Sequence, residues 1–155
     1  PNASQPPRYV FANSGEFSFY GAELEIDARL NRWLTANASY AFMDPGDDTK
    51  GRPGQKTNFS IVFEKNKLTA ILRGQYVNDY YADDFSRAKI PAYFLLNSRV
   101  IVSVTGNLEL MLDLNNILNE DYSIYGEFPG MNAGLYKMPG RNFQVGIRFS
   151  PHTKK

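Results

Sequence analysis

Apolar and polar residues alternate with a period of two along most of this chain. From Tyr20 to Leu30, Ala22, Leu24, Ile26, Ala28 and Leu30 share one parity, while Glu23, Glu25, Asp27 and Arg29 share the other. Successive side chains of a β-strand point to opposite faces, so the run predicts a strand with one apolar and one polar face. The same pattern recurs from Trp33 to Met43, over 56–64, from Lys67 to Asn78 and from Ala92 to Val104. Near the end, Leu108, Leu110, Leu112 and Leu114 oppose Glu109 and Asp113; in the last run Phe143, Val145, Ile147 and Phe149 alternate with Asn142, Gln144, Gly146 and Arg148. The apolar faces so assigned carry no charge. Arg8 to Ala12 reads as the end of a further strand, turned by Asn13-Ser14-Gly15. The fold expected is all-β, an antiparallel up-and-down meander.

The connections alternate in length. Short turns are expected at 31–32, 65–66 and 105–107, and long loops at 44–55, 79–91 and 117–140, marked by Gly, Pro and Asp. All short turns therefore fall at one end of the sheet and all long loops at the other. Outer-membrane barrels share this asymmetry. Aromatic residues cluster at the ends of the apolar faces. Tyr40, Phe42, Phe59, Tyr76, Phe94 and Phe143 stand near the long loops; Phe63, Phe149 and Trp33 stand near the short turns. Aromatic rings favour a membrane interface. Alternation by itself leaves a second reading open, a complete barrel of about eight strands, soluble or in the outer membrane, that binds one small ligand. A soluble barrel would turn its leucines inward.

Composition narrows the function. The 155 residues are 14% aromatic, which suits strands. A net charge of +1 gives no field that would draw nucleic acid. With no cysteine there is no disulfide framework, zinc–thiolate site or thiol chemistry. No apolar run is long enough for a membrane helix, and the mean hydropathy of -0.42 is compatible with a barrel that hides its apolar half by alternation. The beginning, PNASQPPRYV, lacks the regions of a signal peptide, and the expectation is that the natural chain starts upstream.

No catalytic constellation emerges, and the chain is not expected to be an enzyme. The single histidine, His152, follows the last strand and reads as a solvated tail residue rather than a positioned base. GRPGQKT at 51–57 lacks the lysine and the strand-to-helix setting of a phosphate loop. Asp44, Asp47 and Asp48, and again Asp83 and Asp84, lack the spacing of a calcium loop and read as polar loop tips. No metal site and no cofactor are expected. For a small-molecule ligand, the candidates are the loop aromatics Tyr80, Tyr81, Tyr125, Phe128 and Tyr136, which offer contact area at low entropic cost. The charged face, with Glu23, Glu25, Asp27, Arg29, Glu64, Arg73, Arg99, Glu109, Asp113 and Arg148, is expected to form cross-strand pairs.

LDLNNILNEDY, then a loop, then PGRNFQVGIRF, resembles the closing strands of the TonB-dependent outer-membrane receptors, and YGAELEIDARL resembles an earlier strand of their barrels. The resemblance spans nearly the whole chain. It implies that residues 1–155 are the C-terminal part, roughly the last seven or eight strands, of a transmembrane barrel of about 22 strands. The plug domain, TonB box and signal peptide of such receptors would lie outside this sequence. Implied with it are the outer membrane of a Gram-negative bacterium and TonB-energised uptake of a scarce nutrient: an iron–siderophore complex, cobalamin, haem or a glycan. The implied partners are outer-membrane lipid, the TonB complex through the N-terminal part, and the barrel-assembly machinery. Gln144, Gly146, Ile147 and Phe149 match the family's assembly signal, although SPHTKK follows Phe149 where the family's chains stop.

Overall fold

The computed structural model describes residues 18–44, 51–82, 88–126 and 134–151. Seven long strands form one antiparallel sheet: β1 (Tyr20–Arg29), β2 (Leu34–Asp44), β3 (Gln55–Lys65), β4 (Leu68–Val77), β7 (Tyr93–Ser103), β8 (Leu108–Asn115) and β11 (Asn142–Phe149). Two short ladders rise between them, β5 (Tyr80–Tyr81) with β6 (Lys89–Ile90), and β9 (Ser123–Gly126) with β10 (Gly134–Lys137). The sheet order β1-β2-β3-β4-β7-β8-β11 is a meander without crossovers, as the alternation of turns and loops requires. Arg8 to Ala12 and the Asn13-Ser14-Gly15 turn lie outside the described residues, as do Asp47, Asp48, Asp83, Asp84, Phe128 and His152.

Register gathers the apolar parities onto one face. Leu24 opposes Tyr40, Tyr40 opposes Thr57, Thr57 opposes Tyr76, and Tyr76 opposes Phe94. Further down, Ala70 opposes Val100, Val100 opposes Leu112, and Leu112 opposes Val145. A slip of one residue in any pair would put charge among these side chains. In β8 the leucines at 110, 112 and 114 are exposed, whereas Glu109, Met111, Asp113 and Asn115 on the opposite face are half-buried. In β8, therefore, the apolar side is the more open of the two. Among the described residues the only buried large apolar side chains are Val77 and Ile90, and neither of them builds a core over the apolar face.

Two of the three turns share one geometry. The amides of Leu30 and Asn31 both donate to the Leu34 carbonyl, and the Asn31 side chain accepts from the Trp33 amide at 2.8 Å. Val104, Thr105, Leu108 and Asn107 repeat the pattern, with the Thr105 hydroxyl accepting. Such side-chain-to-backbone bonds are why Asn and Thr suit turns. The middle turn differs from expectation by one residue. It is Asn66-Lys67 rather than 65–66, because Asn66 takes the left-handed conformation (φ 55°) that Asn tolerates. β3 consequently extends to Lys65, which pairs with Leu68 on the apolar parity and puts one cation at the rim of a face expected to carry none.

The aromatic ends pack as their parity allows. Tyr20 meets Phe42 at 6.2 Å between centroids, and Phe59 stacks with Phe94 at 6.3 Å. The Phe59 ring lies across Gly74, its cross-strand partner, and a Cβ there would sit 2.0 Å from the ring. Glycine leaves room for the ring there, and any larger residue would have to push the Phe59 ring aside.

Candidate functional site

The polar face carries a lattice of cross-strand bonds, as expected of mixed charges in register. Asn37 donates from Nδ2 to Asp27 at 2.8 Å and to Glu25 at 3.3 Å. Asn58 donates to the Ser39 hydroxyl, and Gln75 donates to Asn58, so three amide and hydroxyl side chains link β2, β3 and β4. Arg99 faces Asp113 in register and binds it through two nitrogens, Nη2 reaching Oδ2 at 3.0 Å. Arg148 donates to Glu109 at 3.2 Å. Between these rows lies a recess of about 190 Å³ walled by Arg73, Asn97, Arg99, Asp113, Asn115 and Gln144. Its walls offer two guanidinium groups and several amides, enough to bind carboxylate or hydroxyl groups, but no nucleophile paired with a base.

At the long-loop end the polar face becomes aromatic. Tyr93 opens β7 on the same parity as Asn97 and Arg99, and its ring stands 5.0 Å from that of Tyr122. The phenols of Tyr80 and Tyr122 both lie within electrostatic reach of Tyr93. Tyr80 is half-buried on the β5–β6 ladder opposite Ile90, and its desolvation holds the phenol above its ordinary pKa. A neutral phenol both donates and accepts hydrogen bonds. Beside it, Lys89 binds Asp79 at 2.8 Å, and that bond holds the Asp79 carboxyl below the usual carboxylate range.

Asn116 fastens this end. It is 4% exposed with φ 48°. Its backbone amide donates to Asn97, its side-chain amide donates to the carbonyls of Glu120 and Pro139, and its side-chain oxygen accepts from the Glu120 amide. The side chain thereby ties the two feet of the long β8–β11 connection to each other, and the backbone amide ties them to β7. Asn116→Ala should lower stability by about 1–3 kcal/mol, because buried partners lose their bonds; denaturant unfolding of the folded protein measures it.

The sequence candidates are separated by the structure. Tyr80 lies within electrostatic reach of Tyr93, whose ring meets that of Tyr122. Tyr81 is exposed on the other side of β5, with Lys89 Nζ 6.0 Å from its ring. Tyr125 pairs with Leu135 and Tyr136 with Ile124, so those two tyrosines occupy opposite faces of the β9–β10 ladder. Phe128 lies outside the described residues. Tyr93, Tyr122 and Asn116 escaped the sequence reading. The available signal was an aromatic residue, Tyr93, on the polar parity of its strand.

Comparison with solved structures gives the siderophore receptor PiuA from Acinetobacter baumannii (17% identity, TM-score 0.69) and the ferric yersiniabactin uptake receptor FyuA from Yersinia pestis (19%, 0.72). The copper transporter OprC is similar at 19% identity and a TM-score of 0.66. Each covers 84% of this chain, which spans only 21%, 23% and 24% of PiuA, FyuA and OprC respectively. A comparison with curated proteins found no match. At these identities the structural likeness establishes the fold, a segment of transmembrane β-barrel. Residues 1–117 match the model of the "TonB dependent receptor-like, beta-barrel" family, and the chain belongs to that family.

Proposed function

We propose that this chain is the C-terminal barrel wall of an outer-membrane receptor that imports a scarce nutrient, such as an iron–siderophore complex, with energy from TonB. The observation that carries the reading is the segregation of faces in register. One face is apolar, with Lys65 at its rim, and the other is a hydrogen-bonded polar face, and the tyrosine cluster stands where that polar face meets the long loops. By the outer-membrane pattern the long loops are extracellular and the short turns periplasmic. The siderophore, ferric yersiniabactin and copper named for PiuA, FyuA and OprC support the class of cargo, a metal or its chelate. TonB coupling would act through the N-terminal part of the receptor, and the tyrosines would contribute to the outer binding surface.

The test uses the whole receptor in its own bacterium, with radiolabelled ferric siderophores, haem and cobalamin as probes. Loss of the receptor should abolish uptake of one probe, and a protonophore should abolish uptake while sparing surface binding. Tyr93→Ala with Tyr122→Ala should weaken that binding roughly tenfold, since each aromatic pair contributes about 0.5–1.5 kcal/mol beyond area, at an unchanged amount of folded receptor. Unchanged uptake of every probe would overturn the import reading; unchanged binding in the double variant would overturn the role of the tyrosines.

A further inference from the structure

The short-turn end of the apolar face carries an arrangement that neither the fold nor import requires. Two cations gather on one indole. Arg32 Cζ lies 4.1 Å from the centroid of the Trp33 ring, and Lys65 Nζ lies 4.3 Å from the same centroid. Arg32 comes from the turn before β2 and Lys65 from the end of β3, brought side by side because the Trp33 carbonyl accepts the Glu64 amide at 2.8 Å. Lys65 sits just beyond the last apolar cross-strand pair, Leu34 with Phe63, and alternates onto their face.

Among the described residues neither Arg32 nor Lys65 makes an ion pair with a carboxylate. Glu64 alternates onto the opposite parity. Two positive charges at the border between an apolar surface and water, with an aromatic ring between their chains, occupy the level of lipid headgroups. Each basic residue there attracts an anionic membrane surface by a roughly fivefold gain in binding.

From these contacts we infer that Arg32, Lys65 and Trp33 form a binding site for the phosphate of an anionic phospholipid in the periplasmic leaflet, its acyl chains lying over Leu34 and Phe63. A zwitterionic headgroup brings its own cation and leaves the two charges uncompensated, so the site selects a headgroup of net negative charge. The site rests on the lipid-facing reading of the apolar surface and not on the identity of any cargo.

The whole receptor, purified in mild detergent, is titrated with dioleoylphosphatidylglycerol or dioleoylphosphatidylcholine, and retained lipid is counted by native mass spectrometry. Wild-type receptor should retain phosphatidylglycerol preferentially. R32Q/K65Q should lose at least about fivefold of that retention, with phosphatidylcholine unchanged, heat-modifiable folding intact and excess inorganic phosphate failing to compete. Lys65→Gln alone, a single exposed change, should give part of the loss even if the double variant folds poorly. Arg148→Gln, which removes a cation already held by Glu109, should not change retention. Equal retention by R32Q/K65Q and wild type, equal loss of both lipids, or displacement by inorganic phosphate would overturn the site. A wild-type receptor that retained neither lipid would instead count against the lipid-facing assignment itself.

Discussion

Leu112→Arg should destabilise the folded receptor by about 2–4 kcal/mol, the cost of a cation at the bilayer midplane on the lipid face of a barrel. Leu112 is central in β8, flanked in register by Val100 on β7 and Val145 on β11. It remains 37% exposed with neighbours on both sides, and on the proposed reading that remaining surface is what lipid covers. An arginine there has no carboxylate on its parity to meet, since Glu109 and Asp113 point the other way. Asp113→Asn, one residue along, should be mild by comparison. It keeps a hydrogen-bond acceptor for Arg99, and ion pairs that stay open to water contribute little. Equilibrium unfolding in lipid vesicles compares the two. A tolerated Leu112→Arg beside a severe Asp113→Asn would mean that the sheet curves the other way, with its leucines inside.

The strands and their faces were legible because the period of two is nearly unbroken and one slip reverses every face. That is why Leu24, Tyr40 and Thr57 could be set on one parity before their pairing was known. The turn at Asn66-Lys67 was misplaced by one residue because Lys-Asn and Asn-Lys are both plausible corners. The left-handed backbone of Asn66, which distinguishes them, leaves no trace in the hydropathy pattern. The ladders Tyr80–Tyr81 with Lys89–Ile90 and Ser123–Gly126 with Gly134–Lys137 fall inside stretches read as loops, since two to four residues are too few to show alternation. The tyrosine cluster was half visible. Tyr80 was named for being an aromatic in a loop, whereas its partners Tyr93 and Tyr122 come from a strand end and from the Asn-Glu-Asp-Tyr run, and only the folded connection brings them together. Asn116 carries the same lesson: its four bonds reach residues from 97 to 139, distances along the chain that no local pattern encodes.

Phe149→Ala should lower the amount of folded receptor in the outer membrane, while removal of residues 151–155 should leave it nearly unchanged. Phe149 is the last residue of β11, opposite Leu108, and 66% of it is exposed on the apolar face. The pairing continues one step further, since the Ser150 amide donates to the Asn107 carbonyl at 2.9 Å. Pro151 has no N–H and ends it. Phe149 is therefore the final aromatic of the paired strand, at the level of the short turns, where an aromatic ring anchors the sheet at the interface. On the proposed reading it is also the ring by which the barrel-assembly machinery recognises the strand, with Gln144, Gly146 and Ile147 upstream. The two roles separate experimentally. Loss of the anchor alone would reduce the stability of purified receptor refolded into vesicles without the machinery, by no more than about 3 kcal/mol for one aromatic side chain. Loss of recognition would cut heat-modifiable receptor in outer-membrane fractions while refolding in vesicles proceeded at the wild-type rate. Equal folded yield in cells for Phe149→Ala and wild type would remove the assembly role and leave Phe149 as an interface residue like Phe63, near the same end of the sheet.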